Sequence, residues 1–114
     1  MNVPGGQYKV VPMQAAISAT GNGTAIATVD SGGALAAVGI QITGITTATI
    51  TFEATIDGTN WVSILAENVT TGAEAATTTA NGIYRVTCIG MVQIRARISA
   101  WTTGAITITG VAVA

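Results

Sequence analysis

Residues Thr47–Asp57 read TATITFEATID. Thr47, Thr49, Thr51, Glu53, Thr55 and Asp57 alternate with Ala48, Ile50, Phe52, Ala54 and Ile56. Side chains on a strand point alternately to opposite faces, so this period of two sorts a polar face from an apolar one. A helix would mix the two sets. The stretch therefore predicts a strand with one face in a core and the other turned outward.

Strands follow on either side. Asp57-Gly58-Thr59-Asn60 is a turn, because Asp bonds its own backbone locally and Gly frees it. Trp61–Leu65 is the next strand. In Met91–Ala100, the residues Val92, Ile94, Ala96, Ile98 and Ala100 are expected inside, with Gln93, Arg95, Arg97, Ser99 and Trp101 outside. Further strands are expected over Gln14–Thr20, Thr24–Asp30, Leu35–Thr43, Ile83–Ile89 and Ala105–Val113, with Gly21-Asn22-Gly23 and Ser31-Gly32-Gly33 as hairpin turns. Ala66–Ala80 is small and Thr-rich, and reads as a long loop holding at most one short edge strand. No helical apolar stripe occurs. About eight strands joined by short turns predict an all-β, two-sheet antiparallel β-sandwich of jelly-roll or Greek-key type. An immunoglobulin-like sandwich is the second topology. The expected core is Ile50, Phe52, Ile56, Val86, Ile94, Ile98, Ile106 and Ile108.

Residues 1–13 read as an extended N-terminal arm, and 14–114 as a single domain. Pro4, Gly5, Gly6 and Pro12 oppose regular structure in the arm. Val3, Tyr8, Val10, Val11 and Met13 are nonetheless too apolar for an inert tail. The arm is expected to order against a neighbouring subunit, with Tyr8 as its anchor.

Composition bounds the function. The chain has 114 residues and suits one domain. Ala and Thr supply 20 residues each. Charged residues make up 8%, the net charge is −1 and mean hydropathy is +0.59. A lone soluble domain carries about 25% charged residues. Yet no apolar run approaches the ~20 residues of a membrane helix, and no signal peptide is evident. Much of the surface is therefore expected to face other protein subunits, and no membrane partner is expected.

The chemistry is sparse. Without histidine, the commonest general base and metal ligand is missing. Glu53 and Asp57 would stand roughly 13 Å apart on one strand, too far for a glycosidase pair. The Asp57 turn lacks the further acidic residues of a calcium loop. Lone Cys88 reads as a small core residue. No catalytic residue, metal or cofactor is expected. Arg95 and Arg97 share one strand face. They read either as partners of Glu53 across strands or as interface anchors. No basic stripe interleaved with aromatics suggests nucleic acid. Trp61 is expected to cap the core. Trp101 is expected to be exposed or at an interface, and either indole is a candidate for stacking on sugar. The candidate interface residues are Tyr8, Val10, Arg95, Arg97 and Trp101.

Three stretches carry a resemblance: TFEATIDGTNW at Thr51–Trp61, NGIYRV at Asn81–Val86 and VQIRARISAW at Val92–Trp101, followed by a Thr/Ile-alternating strand. Over residues 47–113 this pattern resembles β-sandwich modules of tailed-phage virion proteins. Such modules serve as capsid decoration proteins, head fibres and tail or baseplate appendages. The resemblance implies no catalytic residue. It implies a virion protein assembled in a bacterial cytoplasm, bound to a major capsid protein or another virion protein, often as a homotrimer. A small module with a short arm suits a decoration, or cement, protein. A tail, neck or baseplate component with carbohydrate binding is the alternative.

Overall fold

The computed structural model describes residues 2–3, 6–30, 33–34 and 37–113, with side chains described over 9–28 and 37–113. Met1, Pro4, Gly5, Ser31, Gly32, Leu35, Ala36 and Ala114 lie outside the described residues, so the turn expected at 31–33 is not settled there. The described residues hold no helix. Eleven strands build two antiparallel sheets. They are β1 (Gly6–Ile17), β2 (Ile26–Ala27), β3 (Ala37–Thr43), β4 (Thr47–Thr55), β5 (Val62–Ser63), β6 (Ala66–Asn68), β7 (Glu74–Ala75), β8 (Thr77–Thr78), β9 (Gly82–Thr87), β10 (Gln93–Thr103) and β11 (Ile106–Val113).

The front sheet runs β1-β11-β3-β9-β6-β7, and Asn2–Val3 folds back on Gly6–Gln7 at its edge. The back sheet runs β2-β10-β4-β8, with β5 beside β8 on the same edge of β4. First pairs with last: β1 with β11, β2 with β10, β3 with β9, and β4 with β5 and β8. This is one long antiparallel ribbon rolled over a core, the jelly-roll arrangement. A separate two-residue ladder joins Val29–Asp30 to Gly33–Ala34.

The sequence pattern explains the roll. The apolar sets of β3, β9 and β11 face those of β4 and β10, since each strand alternates. Ile50, Phe52, Ile94, Ile98, Ile106 and Ile108 are fully buried, and Val86 is buried. Phe52 of the back sheet meets Tyr84 of the front, with ring centroids 5.3 Å apart. The Tyr84 hydroxyl bonds Thr78 at 2.6 Å and donates to the Ala80 carbonyl at 2.9 Å. Cys88 is buried, as expected.

Ile56 is a correction, because it is 73% exposed rather than in the core. The strand stops at Thr55, where the Asp57 turn takes over and ends the pleat. Ala66–Ala80 is also more ordered than expected, since it contains β6, β7 and β8. Gly21-Asn22-Gly23 does not close a hairpin, because it carries the chain from β1 in one sheet to β2 in the other.

The arm and the domain meet within one strand. Tyr8–Pro12 pair with Val113–Thr109 in the chain's own front sheet, and Met13 is buried. A Cβ on Gly110 would lie 2.6 Å from Met13 Sδ, so the glycine leaves the notch that Met13 fills. Gln14 then closes the side of the sandwich. Its Nε2 donates to the carbonyls of Ala96 and Gly21, both at 3.2 Å, between the points where β2 and Gly21 pair with β10.

Phe52→Ala should cost about 3–5 kcal/mol in denaturant unfolding, while Ile56→Ala should stay within about 0.5 kcal/mol. Equal losses would mean that the two side chains share an environment. Deleting residues 2–12 should cost at least about 2 kcal/mol, because β11 loses its neighbour and Met13 its cover. Unchanged melting would remove the arm from the sheet.

Candidate functional site

The five candidate interface residues do not form one site. Tyr8 and Val10 lie on β1 in the front sheet, Arg95 and Arg97 on the outer face of the back sheet, and Trp101 at one end of the sandwich. For Tyr8 only the register position is described, opposite Val113.

On the back sheet, β4 is buried on both faces. Thr51, Glu53 and Thr55 point away from the core yet are only 7%, 7% and 3% exposed. Register sets Arg95 directly opposite Glu53. Arg95 Nε donates to Glu53 Oε1 at 2.7 Å, and Arg97 Nε and a terminal nitrogen reach the two carboxylate oxygens at 3.2 Å each. Burial pushes the Glu53 carboxyl up, but hydrogen bonds and charge from Arg95 and Arg97 outweigh it and hold it below its ordinary 4.5. The guanidinium of Arg95 also lies 4.1 Å from the ring centre of Trp61. Trp61 is therefore half-buried on this outer face and does not cap the core. Thr51 donates to Ser99 at 2.7 Å, and Ser99 to the Thr49 carbonyl at 3.2 Å. Arg85 is likewise paired, with Glu67.

Asp57 is spent on its own turn. Its carboxylate accepts from the Asn60 amide at 2.7 Å, the Asn60 side chain at 2.7 Å, the Thr59 amide at 2.8 Å and the Thr55 hydroxyl at 3.0 Å. These donors hold its carboxyl well below the usual range. Among the described residues no group of three or more His, Cys, Asp or Glu is gathered as metal ligands.

The front sheet's outer face is different in kind. One row across it reads Val10, Val111, Gly39, Arg85, Glu67, and the next Pro12, Thr109, Gln41, Ile83. From β1 to β3 no described outward side chain is charged. Val10 is 55% exposed and Val113 38%. The Asp57 turn leaves a second apolar feature. This is a cleft of about 320 Å³ between Ile56, Val62, Ile64 and Met91, with Asp57 and Asn60 beside it.

Trp101 is a correction in phase. A bulge between Ile98 and Ala100 shifts the register, so Ala100 stands opposite Thr49 and Trp101 opposite the buried Ala48. Trp101 is half-buried against the core, and its Nε1 donates to the Gly104 carbonyl at 2.8 Å. Straight alternation hid this, and it hid the role of Gln14 too, since no sequence signal separates a polar plug from a surface residue.

The fold and this site define a jelly-roll module whose described charged pairs are turned on one another. No protein-family model matches the chain, and no curated protein matches it in sequence. Solved structures do. The SPBc2 prophage-derived protein YomS has a TM-score of 0.85 at 16% identity, over 100% of this chain and 99% of that one. The PBSX exported protein XepA has a TM-score of 0.87 at 16% identity, over 100% of this chain and 40% of that one. At such identity the likeness establishes the fold. Both neighbours derive from prophages.

Glu53→Gln should cost about 1.5–3 kcal/mol at neutral pH, since two guanidiniums lose their charged acceptor. A carboxyl whose folded pKa is depressed stabilises above its unfolded pKa, here the ordinary 4.5. That stability is lost as pH falls through the lower folded value. Melting temperature should drop on acidification below about pH 5, and less steeply in Glu53→Gln. Asp57 acts in the same direction, so Asp57→Asn serves as the second arm. Parallel slopes for Glu53→Gln and wild type would remove Glu53 from the acid response.

Proposed function

We propose that the chain is a non-enzymatic structural protein of a tailed-phage particle, a decoration protein that lies on the capsid shell and braces it through subunit contacts. The observation that carries this reading is the front sheet's outer face. Its described outward side chains are uncharged from β1 to β3, and it is apolar at Val10, Val111 and Val113. Gly39 adds no side chain there, and a Cβ on it would lie 3.2 Å from a Val111 methyl. Such a face suits burial against another protein, where charge is depleted at the centre. The prophage origin of both structural neighbours supports the setting. The non-enzymatic reading is supported by the acidic groups. Glu53, Asp57 and Glu67 are committed to internal partners, and those partners hold the Glu53 and Asp57 carboxyls below their ordinary values, which leaves these two poor bases. The shell protein, or another virion protein, is the expected partner, with self-association into a trimer.

A tail, neck or baseplate component is the second reading. XepA favours it, because there the fold occupies 40% of a longer chain and so acts as a module.

Copy number per purified particle, by quantitative mass spectrometry, separates the two. Hundreds of copies are expected for the shell, a handful would mean the tail, and none would end the virion reading. Val10→Lys should leave melting unchanged and lower occupancy on particles about tenfold or more, as for a charge buried in an interface. Full occupancy would move the attachment face elsewhere.

A further inference from the structure

Where β3 turns into β4 and β10 approaches β11, a cleft of about 280 Å³ opens. Trp101 and the threonines 46, 47, 49, 79 and 102 contribute to its walls, and no charged residue does. Some threonines elsewhere spend their hydroxyls within the protein, as Thr51 does on Ser99, Thr55 on Asp57 and Thr78 on Tyr84. Among the described residues, the five cleft threonines show no such bond from their hydroxyls. Each of these hydroxyls is both a donor and an acceptor. Trp101 is fixed before any ligand arrives, by the bulge, by core packing and by its bond to Gly104.

We propose that this cleft binds one ring of a neutral saccharide. A pyranose has an apolar C–H face and a rim of hydroxyls. An immobilised indole answers the first, and uncharged hydroxyls answer the second. The volume falls just below the drug-sized range of about 300–1,000 Å³, as suits a single ring. The absence of charge from the walls disfavours sugar acids, whose carboxylate would lose hydration without a cation in return. The proposal does not depend on attachment to a shell, because the cleft and the front face are separate surfaces.

The test uses the full chain carrying Trp61→Phe, so that Trp101 supplies the only indole. Glucose, galactose, mannose and N-acetylglucosamine, each as monosaccharide and disaccharide, are titrated while the Trp101 indole N–H resonance is followed. At least one should give a saturable shift with Kd of about 1 mM or tighter. The double variant Thr79→Val, Thr102→Val keeps side-chain shape and removes two hydroxyls. It should weaken that binding about tenfold at unchanged melting temperature, as for lost hydrogen bonds. No shift with any probe, a shift that survives the double variant, or tighter binding of glucuronate than of glucose would each overturn the proposal.

Discussion

A carboxylate with almost no water around it needs cations, and Glu53 has two. It stands in the middle of β4 on the outer face of the back sheet, where burial alone would favour its neutral form. Arg95 lies directly across the ladder and Arg97 two residues further on, and both bond it. A one-residue slip between β4 and β10 would send the arginines to the apolar core face. The clamp therefore pins the register of the two longest strands of the back sheet, and with it the opposition of Ile50 to Ile98. Arg95 in turn positions Trp61 beyond the β4–β5 turn. Only after this clamp does β10 slip its register, at Ile98/Ala100.

The rolled ribbon leaves edges, and side chains close them. The sandwich is open where β1 of one sheet passes β10 of the other, since β2 covers only Gln93 and Ile94. Gln14 fills the gap by donating to the Ala96 carbonyl, which the short strand does not reach, and to the Gly21 carbonyl, which also accepts from the Ile98 amide. Thr28 does similar work by bonding the Met91 carbonyl and, through its amide, the Val92 carbonyl at 2.9 Å. Small residues make this closeness affordable. Gly110 makes room for Met13, and Ala96 lies against the Gln14 amide.

The two outer faces differ in chemistry. The back face is polar but internally answered, with ion pairs and hydroxyl bonds that leave little for a partner to take. From β1 to β3 the front face has no described outward charge to desolvate, so covering that part with protein costs less than covering its Arg85–Glu67 end. In a chain with 8% charged residues, Glu53, Arg95 and Arg97 satisfy one another on the back face, and Arg85 and Glu67 do so on the front. The hydroxyl-lined cleft beside Trp101 lies between these extremes, neither self-satisfied nor apolar.

The alternation in Thr47–Thr55, Gln93–Ile98 and Ile106–Ala112 determined by itself that this is an all-β sandwich, which residues form most of its core, and that Glu53 and the arginines share a face. Alternation is a local property of the backbone, so it can be read without the fold. It fails where the pleat fails. Ile56 leaves the core because a turn begins there, and Trp101 enters its margin because a bulge adds a residue. The pairing of the supposed arm with β11, the plug at Gln14 and the gathering of five threonines around Trp101 were decided only by the tertiary structure. Each joins residues distant in the chain, and the roll of the ribbon, rather than any local preference, brings them together.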